Sequence, residues 1–211
     1  LKHVVITSVA RDDLKDEGAD AFYHTITAVK QELPDSTVEV LTPDFHAKSD
    51  LIERVCDARP TVFNHNIETV ERLTPMVRPQ ARYYRSLKVL ELVKSYDPKI
   101  VTKSGLMLGL GESLDEVRQA FCDLKSVGCE IVTIGQYLKP LERKLEIHEF
   151  VRPEVFDQLR EEGLEFGFRE VYSGPYIRSS YHAGEAYERS LSTTSLRAMT
   201  ESKQHLKRLS L

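Results

Sequence analysis

The chain has 211 residues, 41% hydrophobic and 29% charged, enough for one or at most two domains with a real core. Its formal net charge of -4 gives no broad attraction to nucleic acid, and no apolar run approaches the roughly 20 residues that span a bilayer. Cys56, Cys122 and Cys129 fit neither a metal-ligand spacing nor a disulfide framework, and read as buried, reduced thiols of a cytosolic or organellar matrix compartment.

The chain opens on Leu1-Lys2-His3-Val4-Val5-Ile6, already inside a strand-like run and without an initiator Met, which reads as a fragment of something longer. Val4 to Val9 is the first predicted strand, followed by the polar loop Ala10-Arg11-Asp12-Asp13. Phe22, Ile26, Val29 and Leu33 line one face of a helix that Pro34 and Asp35 end. Thr37 to Leu41 is the second strand, closed by Thr42-Pro43-Asp44, and Leu51, Ile52, Val55 and Cys56 mark the next helix. Thr61 to Asn64 runs into His65-Asn66-Ile67-Glu68-Thr69, and a helix bearing Leu87, Leu90 and Val93 precedes Asp97-Pro98.

Ile100 to Leu108 reads as a buried strand that enters the glycine-rich turn Gly109-Leu110-Gly111-Glu112. Ser113 and Glu116 then form a capping-box pattern, and Gly128 caps the far end of that helix. Glu130 to Ile134 is a fifth strand, ending in Gly135-Gln136-Tyr137. Pro153 starts a helix that Gly163 follows, and Glu165 to Tyr172 is the last strand. Short strands alternating with helices predict βαβ units and a parallel sheet, with chemistry at the carboxyl ends of the strands. Those ends are polar or glycine-rich throughout, as a shared ligand pocket requires. From about Glu185 the composition turns to Ser, Thr, Lys and Arg, which reads as a solvated tail or loose helix.

In order, Val5-Ile6-Thr7-Ser8-Val9 with Arg11-Asp12-Asp13-Leu14, Glu39-Val40-Leu41-Thr42-Pro43-Asp44-Phe45, His65-Asn66-Ile67-Glu68-Thr69-Val70 and Lys103-Ser104-Gly105-Leu106-Met107 form a recognisable series. Gly109-Leu110-Gly111-Glu112, Gly135-Gln136-Tyr137-Leu138, Ser173-Gly174-Pro175 and Arg178-Ser179-Ser180-Tyr181-His182-Ala183 continue it. Over residues 3 to 187 this resembles the lipoyl synthase family of radical S-adenosylmethionine enzymes. The resemblance implies an α/β fold, a partial (β/α)6 TIM-like barrel missing its first strand, over residues 1–184, with a polar tail over 185–211. It implies a sulfurtransferase that inserts two sulfur atoms at C6 and C8 of a protein-bound octanoyl chain. It also implies S-adenosylmethionine, two 4Fe–4S clusters, and as partners the octanoylated lipoyl domains of 2-oxoacid dehydrogenase and glycine-cleavage H proteins, in a mitochondrial matrix or bacterial cytoplasm.

Under the resemblance, Thr7 and Ser8 stand where the cofactor's ammonium binds, while strand-end capping explains them equally well. Asn66 and Glu68 suit a ribose or the methionyl end, Lys103 and Ser104 a carboxylate. Gly109 and Gly111 let the backbone close on the adenine, and Gln136 and Tyr137 complete that wall. Arg178 is a charge-assisted donor. Ser180, or Ser179 beside it, is the expected oxygen ligand of the auxiliary cluster. The family's cysteine motifs, CxxxCxxC and CxxxxCxxxxxC, do not occur in this sequence, so the expected alternative is a cluster-free remnant that binds lipoyl domains or S-adenosylmethionine. Ala10, Lys139 and Lys144 also depart from the family's usual Asp, Gln and His. His65 and His182 have no second ligand at metal spacing and read as hydrogen-bonded histidines.

Overall fold

The computed structural model describes residues 1–178. Ser179, Ser180 and the predicted tail over 185–211 lie outside the described residues. Six strands form one parallel sheet in chain order: β1 (His3–Thr7), β2 (Thr37–Leu41), β3 (Val62–Asn64), β4 (Val101–Leu108), β5 (Ile131–Gln136) and β6 (Glu170–Ser173). The connections carry α1 (Ala19–Glu32), α2 (Ser49–Asp57), α3 (Thr74–Val77), α4 (Tyr83–Tyr96), α5 (Leu114–Ser126) and α6 (Pro153–Glu165). A parallel pair needs such a crossover, so every strand ends on the same side of the sheet. Among the described residues β1 pairs with β2 alone and β6 with β5 alone. The sheet is therefore unclosed, as in a partial barrel.

Side chains alternate across the sheet. One set packs on the helices: Val38, Val40 and Phe63 with Ile26, Val55 and Val89, and Leu106, Val132 and Ile134 with Val117, Phe121 and Leu124. The other set faces the concave side. A small apolar layer, Val62, Val101 and Ile131, floors it. Above that floor the side chains turn polar: Glu39, Asn64, Lys103 and Thr133. A sheet that buries carboxylate, ammonium and amide on one face keeps them only if each is paired.

Several boundaries differ from the sequence expectation. β1 stops at Thr7 rather than Val9. Gly163 lies inside α6 and does not end it. A Cβ there would stand 2.9 Å from Val171 Cγ2, so the glycine allows the helix to lie against β6. The turn instead falls at Gly167, whose φ is +91°, and β6 starts only at Glu170. Cys122 is exposed on α5, against the expectation of burial, because the inward position is taken by its neighbour Phe121. Cys56 and Cys129 are buried as expected, and burial pushes both thiols up to about 12. The Ser113–Glu116 capping box is present with both of its hydrogen bonds.

Candidate functional site

At the carboxyl ends of β3, β4 and β5 the chain encloses a cavity of about 300 Å³. Its polar corner is built by the turn after β3. Glu68 holds a left-handed backbone, φ +66°, unusual for a residue with a Cβ. Two bonds to β4 fix it there, Glu68 N–H to Gly105 O at 2.9 Å and Met107 N–H to Glu68 O at 2.9 Å. The Glu68 carboxylate lines the cavity, and Asn66 Nδ2 donates to it at 3.3 Å. Asn66 Oδ1 is buried without a hydrogen-bond partner. Burial raises the Glu68 carboxyl above its ordinary range, while the Arg78 guanidinium and the Asn66 amide pull it back. Gly105 makes room for this corner: a Cβ would stand 2.6 Å from Thr133 Oγ1 and 3.0 Å from Asn66 Oδ1.

Below the cavity lies a buried ion pair. Lys103 Nζ reaches Glu39 Oε1 at 2.8 Å, with both side chains 1% exposed. Asn64 Nδ2 donates to the same oxygen at 3.2 Å, and His3 Nε2 stands 3.8 Å from Oε2. Burial alone would raise the Glu39 carboxyl, but His3, Lys103 and Asn64 outweigh it and hold it below the usual range. The carboxylate expected beside Lys103 is thus one of the protein's own. Ser104 points to the other face, where its Oγ accepts from Ile67 N–H at 3.2 Å. His65 supports the same turn. Its Nδ1 lies 2.9 Å from Thr42 O and its Nε2 3.0 Å from Ser86 Oγ. A carbonyl can only accept, so Nδ1 carries a proton. Burial lowers His65 to about 4.

The glycine-rich turn is occupied by protein. The Gly109 and Leu110 N–H groups, which suit an anion, donate to Glu112 at 2.6 and 3.0 Å. A Cβ on Gly109 would stand 2.3 Å from Gln136 Nε2 and 2.5 Å from Glu149 O, and one on Gly111 would meet the His148 ring at 3.4 Å. These glycines therefore admit the strap of residues 138–152. Gln136 pins that strap, donating to Glu149 O at 3.1 Å and accepting from Val151 N–H at 3.0 Å, while Tyr137 Oη donates to Leu145 O at 3.0 Å. Gln136 and Tyr137 still wall the cavity, together with Arg178, whose Nη1 donates to Ile177 O at 2.9 Å.

So Asn66, Glu68, Gln136, Tyr137 and Arg178 converge. Thr7 and Ser8 do not join them: both are exposed and line a separate groove between β1 and α1. Sequence reading missed Gly105 and Thr133 as parts of the site, and Arg78, which donates to Asn66 O at 3.0 Å. Gly135 is a further one: a Cβ there would stand 2.3 Å from Ile177 O, so it lets residues 174–178 close the cavity wall. Among the described residues Asp12, Glu17 and His46 have metal-like spacing, within 4.8 Å of one another. Both Glu17 oxygens are already engaged, by Lys48 at 2.6 Å and His46 at 3.0 Å, and the group ties two loops together. Cys56 and Cys129 sit in different core clusters and Cys122 is exposed, so the three thiols do not converge.

The Radical SAM superfamily model matches residues 1–124. The chain is 54% identical over 188 residues to lipoyl synthase of Rubrobacter xylanophilus, covering 89% of this chain and 59% of that protein. It is 52% identical over 183 residues to lipoyl synthase of Treponema denticola, covering 87% of this chain and 62% of that one. The chain thus spans about three fifths of the length of these curated relatives. Among solved structures, the crystal structure of methylornithine synthase matches with a TM-score of 0.60 at 14% identity, over 75% of this chain and 47% of that one. That likeness concerns the fold alone.

Proposed function

We infer a function from one premise: this chain belongs to the Radical SAM superfamily. Its function is that of a lipoyl synthase, inserting sulfur at C6 and C8 of an octanoyl chain carried on a lipoyl domain. Its similarity to lipoyl synthases, at 54% and 52% identity, supports that choice within the superfamily. The observation that carries the cofactor assignment is the corner made by Asn66, Glu68 and Gly105. A buried acceptor without a partner, a carboxylate in the cavity and a missing Cβ together fit the hydroxyls of a ribose.

S-adenosylmethionine bound there, given one electron from a 4Fe–4S cluster, would supply the radical chemistry for taking hydrogen from the octanoyl chain. The residues of this chain bind, orient and enclose it. Glu68 and Asn66 Oδ1 accept from the ribose hydroxyls. Tyr137 and Gln136 wall the cavity beside them, and Gly109 and Gly111 shape that wall by seating the strap. Thr7 and Ser8, which line the separate groove beside β1, are assigned no contact with the cofactor. Lys103, paired with Glu39, supports the cavity from below, Ser104 braces the turn through Ile67 N–H from the other face, and Arg178 is a charge-assisted donor on the cavity wall. Ser180, with Ser179 as the second choice, is the oxygen ligand of the auxiliary cluster in this reading. The three cysteines of this chain do not fit a cluster, so the thiolates that hold two 4Fe–4S clusters must come from elsewhere.

The test is equilibrium dialysis of S-adenosylmethionine against the chain and its Glu68→Gln variant. Saturable binding that weakens by about tenfold or more in the variant supports the assignment. Equal retention by both, or none by either, overturns it. The alternative of a cluster-free binding module is favoured by the scattered thiols. Iron and sulfide analysis of the protein isolated anaerobically together with whatever supplies those thiolates separates the two: two clusters support the enzyme, none the module.

A further inference from the structure

A second cavity, about 670 Å³, opens beside the site rather than in it. Loops after β1 and β2 line it, with the segment from Arg78 to Arg85. Its two guanidinium groups behave differently. Arg85 is committed to its own loop, donating to Asp44 Oδ2 and Gln80 O at 2.7 Å each. Arg78 reaches out of that wall, and its Nη1 donates to the carbonyl of Asn66 at 3.0 Å. The Arg78 backbone is set from both sides, by its N–H on Thr74 O at 2.8 Å and its carbonyl on Ala81 N–H at 3.0 Å.

Asn66 and Glu68 leave the end of β3, where the ladder no longer holds the chain. On the β4 side, two backbone bonds grip Glu68. On the other side, Arg78 grips the Asn66 carbonyl. A left-handed Glu68 costs on the order of 1–3 kcal/mol and persists only where its surroundings over-determine it. We propose that Arg78 is a positioning residue for the site: its guanidinium fixes the Asn66–Glu68 turn and so aims Asn66 Oδ1 and the Glu68 carboxylate into the cavity. The charge has the right sign for the same task, since Arg78 opposes the effect of burial on Glu68. The other charged group lining that cavity is Arg178.

Arg78 holds the turn through the Asn66 carbonyl; the consequence for the cofactor rests on the function proposed above. The experiment therefore has arms with and without ligand. Arg78→Lys and Arg78→Met are compared with wild type by amide hydrogen exchange and by ¹³C NMR titration of the Glu68 carboxyl. In Arg78→Met, exchange at the Glu68 and Met107 amides should quicken on the order of tenfold, the factor a lost charge-assisted hydrogen bond is worth. The Glu68 midpoint should rise. Arg78→Lys, which keeps the charge and a donor nitrogen, should recover the midpoint and part of the protection. Unchanged amides at Val132 and Leu124 show that the variant is folded. Wild-type exchange and titration in Arg78→Met overturn the proposal, as does a general loss of protection that Lys does not rescue. Dialysis of S-adenosylmethionine is the last arm. Altered exchange with unaltered affinity upholds the positioning role and removes the cofactor from this corner.

Discussion

Acid should begin to destabilise this fold as the pH falls below about 6.5, and His65 is the reason. The imidazole is 1% exposed, donates from Nδ1 to Thr42 O and accepts at Nε2 from Ser86 Oγ. Burial leaves it neutral, lowered from 6.5 to about 4. Between those values the unfolded chain binds a proton that the folded chain refuses, so stability rises with pH and is lost as pH falls through this window. The full effect is about 3 kcal/mol, since each pH unit between the two values is worth about 1.4 kcal/mol. At pH 5 about 2 kcal/mol of it is already gone, and the urea midpoint should fall by on the order of 1 M between pH 7 and pH 5. The control is His65→Gln, which starts less stable but lacks the titrating group while keeping every carboxylate. Urea unfolding followed by far-ultraviolet circular dichroism at pH 7, 6 and 5 gives both curves. Parallel curves for the two proteins would refute the assignment of a buried neutral imidazole.

Lys103→Met should cost about 3–5 kcal/mol in urea unfolding, because it strands Glu39 in the interior, and adding Glu39→Gln should restore part of that. Gly105→Ala puts a Cβ 2.6 Å from Thr133 Oγ1. It should destabilise by about 1–3 kcal/mol and abolish retention of S-adenosylmethionine in dialysis, with Thr133→Ala relieving the first effect more than the second. Ser113→Ala removes one bond of the capping box and should cost about 1 kcal/mol in thermal unfolding without changing that retention.

The strands were legible because each is a short apolar run closed by Gly, Pro, Asn or Asp, and the Ser113–Glu116 cap because it is written within four residues. Asn66 and Glu68 were legible as polar residues just past a strand. What failed was whatever depended on a distant neighbour. Gly163 has the local look of a helix end, and only Val171, brought up by β6, makes it a packing glycine. The turn at Gly109–Gly111 looks open to a ligand until Glu112 folds back onto its N–H groups and the strap lies down on it. Lys103 called for a carboxylate, but the register of β2, β3 and β4 is needed to see that Glu39 provides it. Arg78 carried no signal, since an arginine twelve residues past Asn66 gains meaning only when the chain turns back towards the strand end.

Glu68 sits under two demands that pull its identity apart. The backbone at φ +66° suits asparagine or glycine, while the cavity uses a side chain long enough to carry a carboxylate into it. Glu68→Asn should therefore relax the turn and leave the fold as stable or more so, at the expense of whatever the carboxylate holds. A selection that rewards thermal robustness alone would drift towards that change. Screening variants of this protein for expression or heat tolerance would enrich chains with a quieter backbone and an emptied site, and would do so at a position where nothing in the folding assay gives warning.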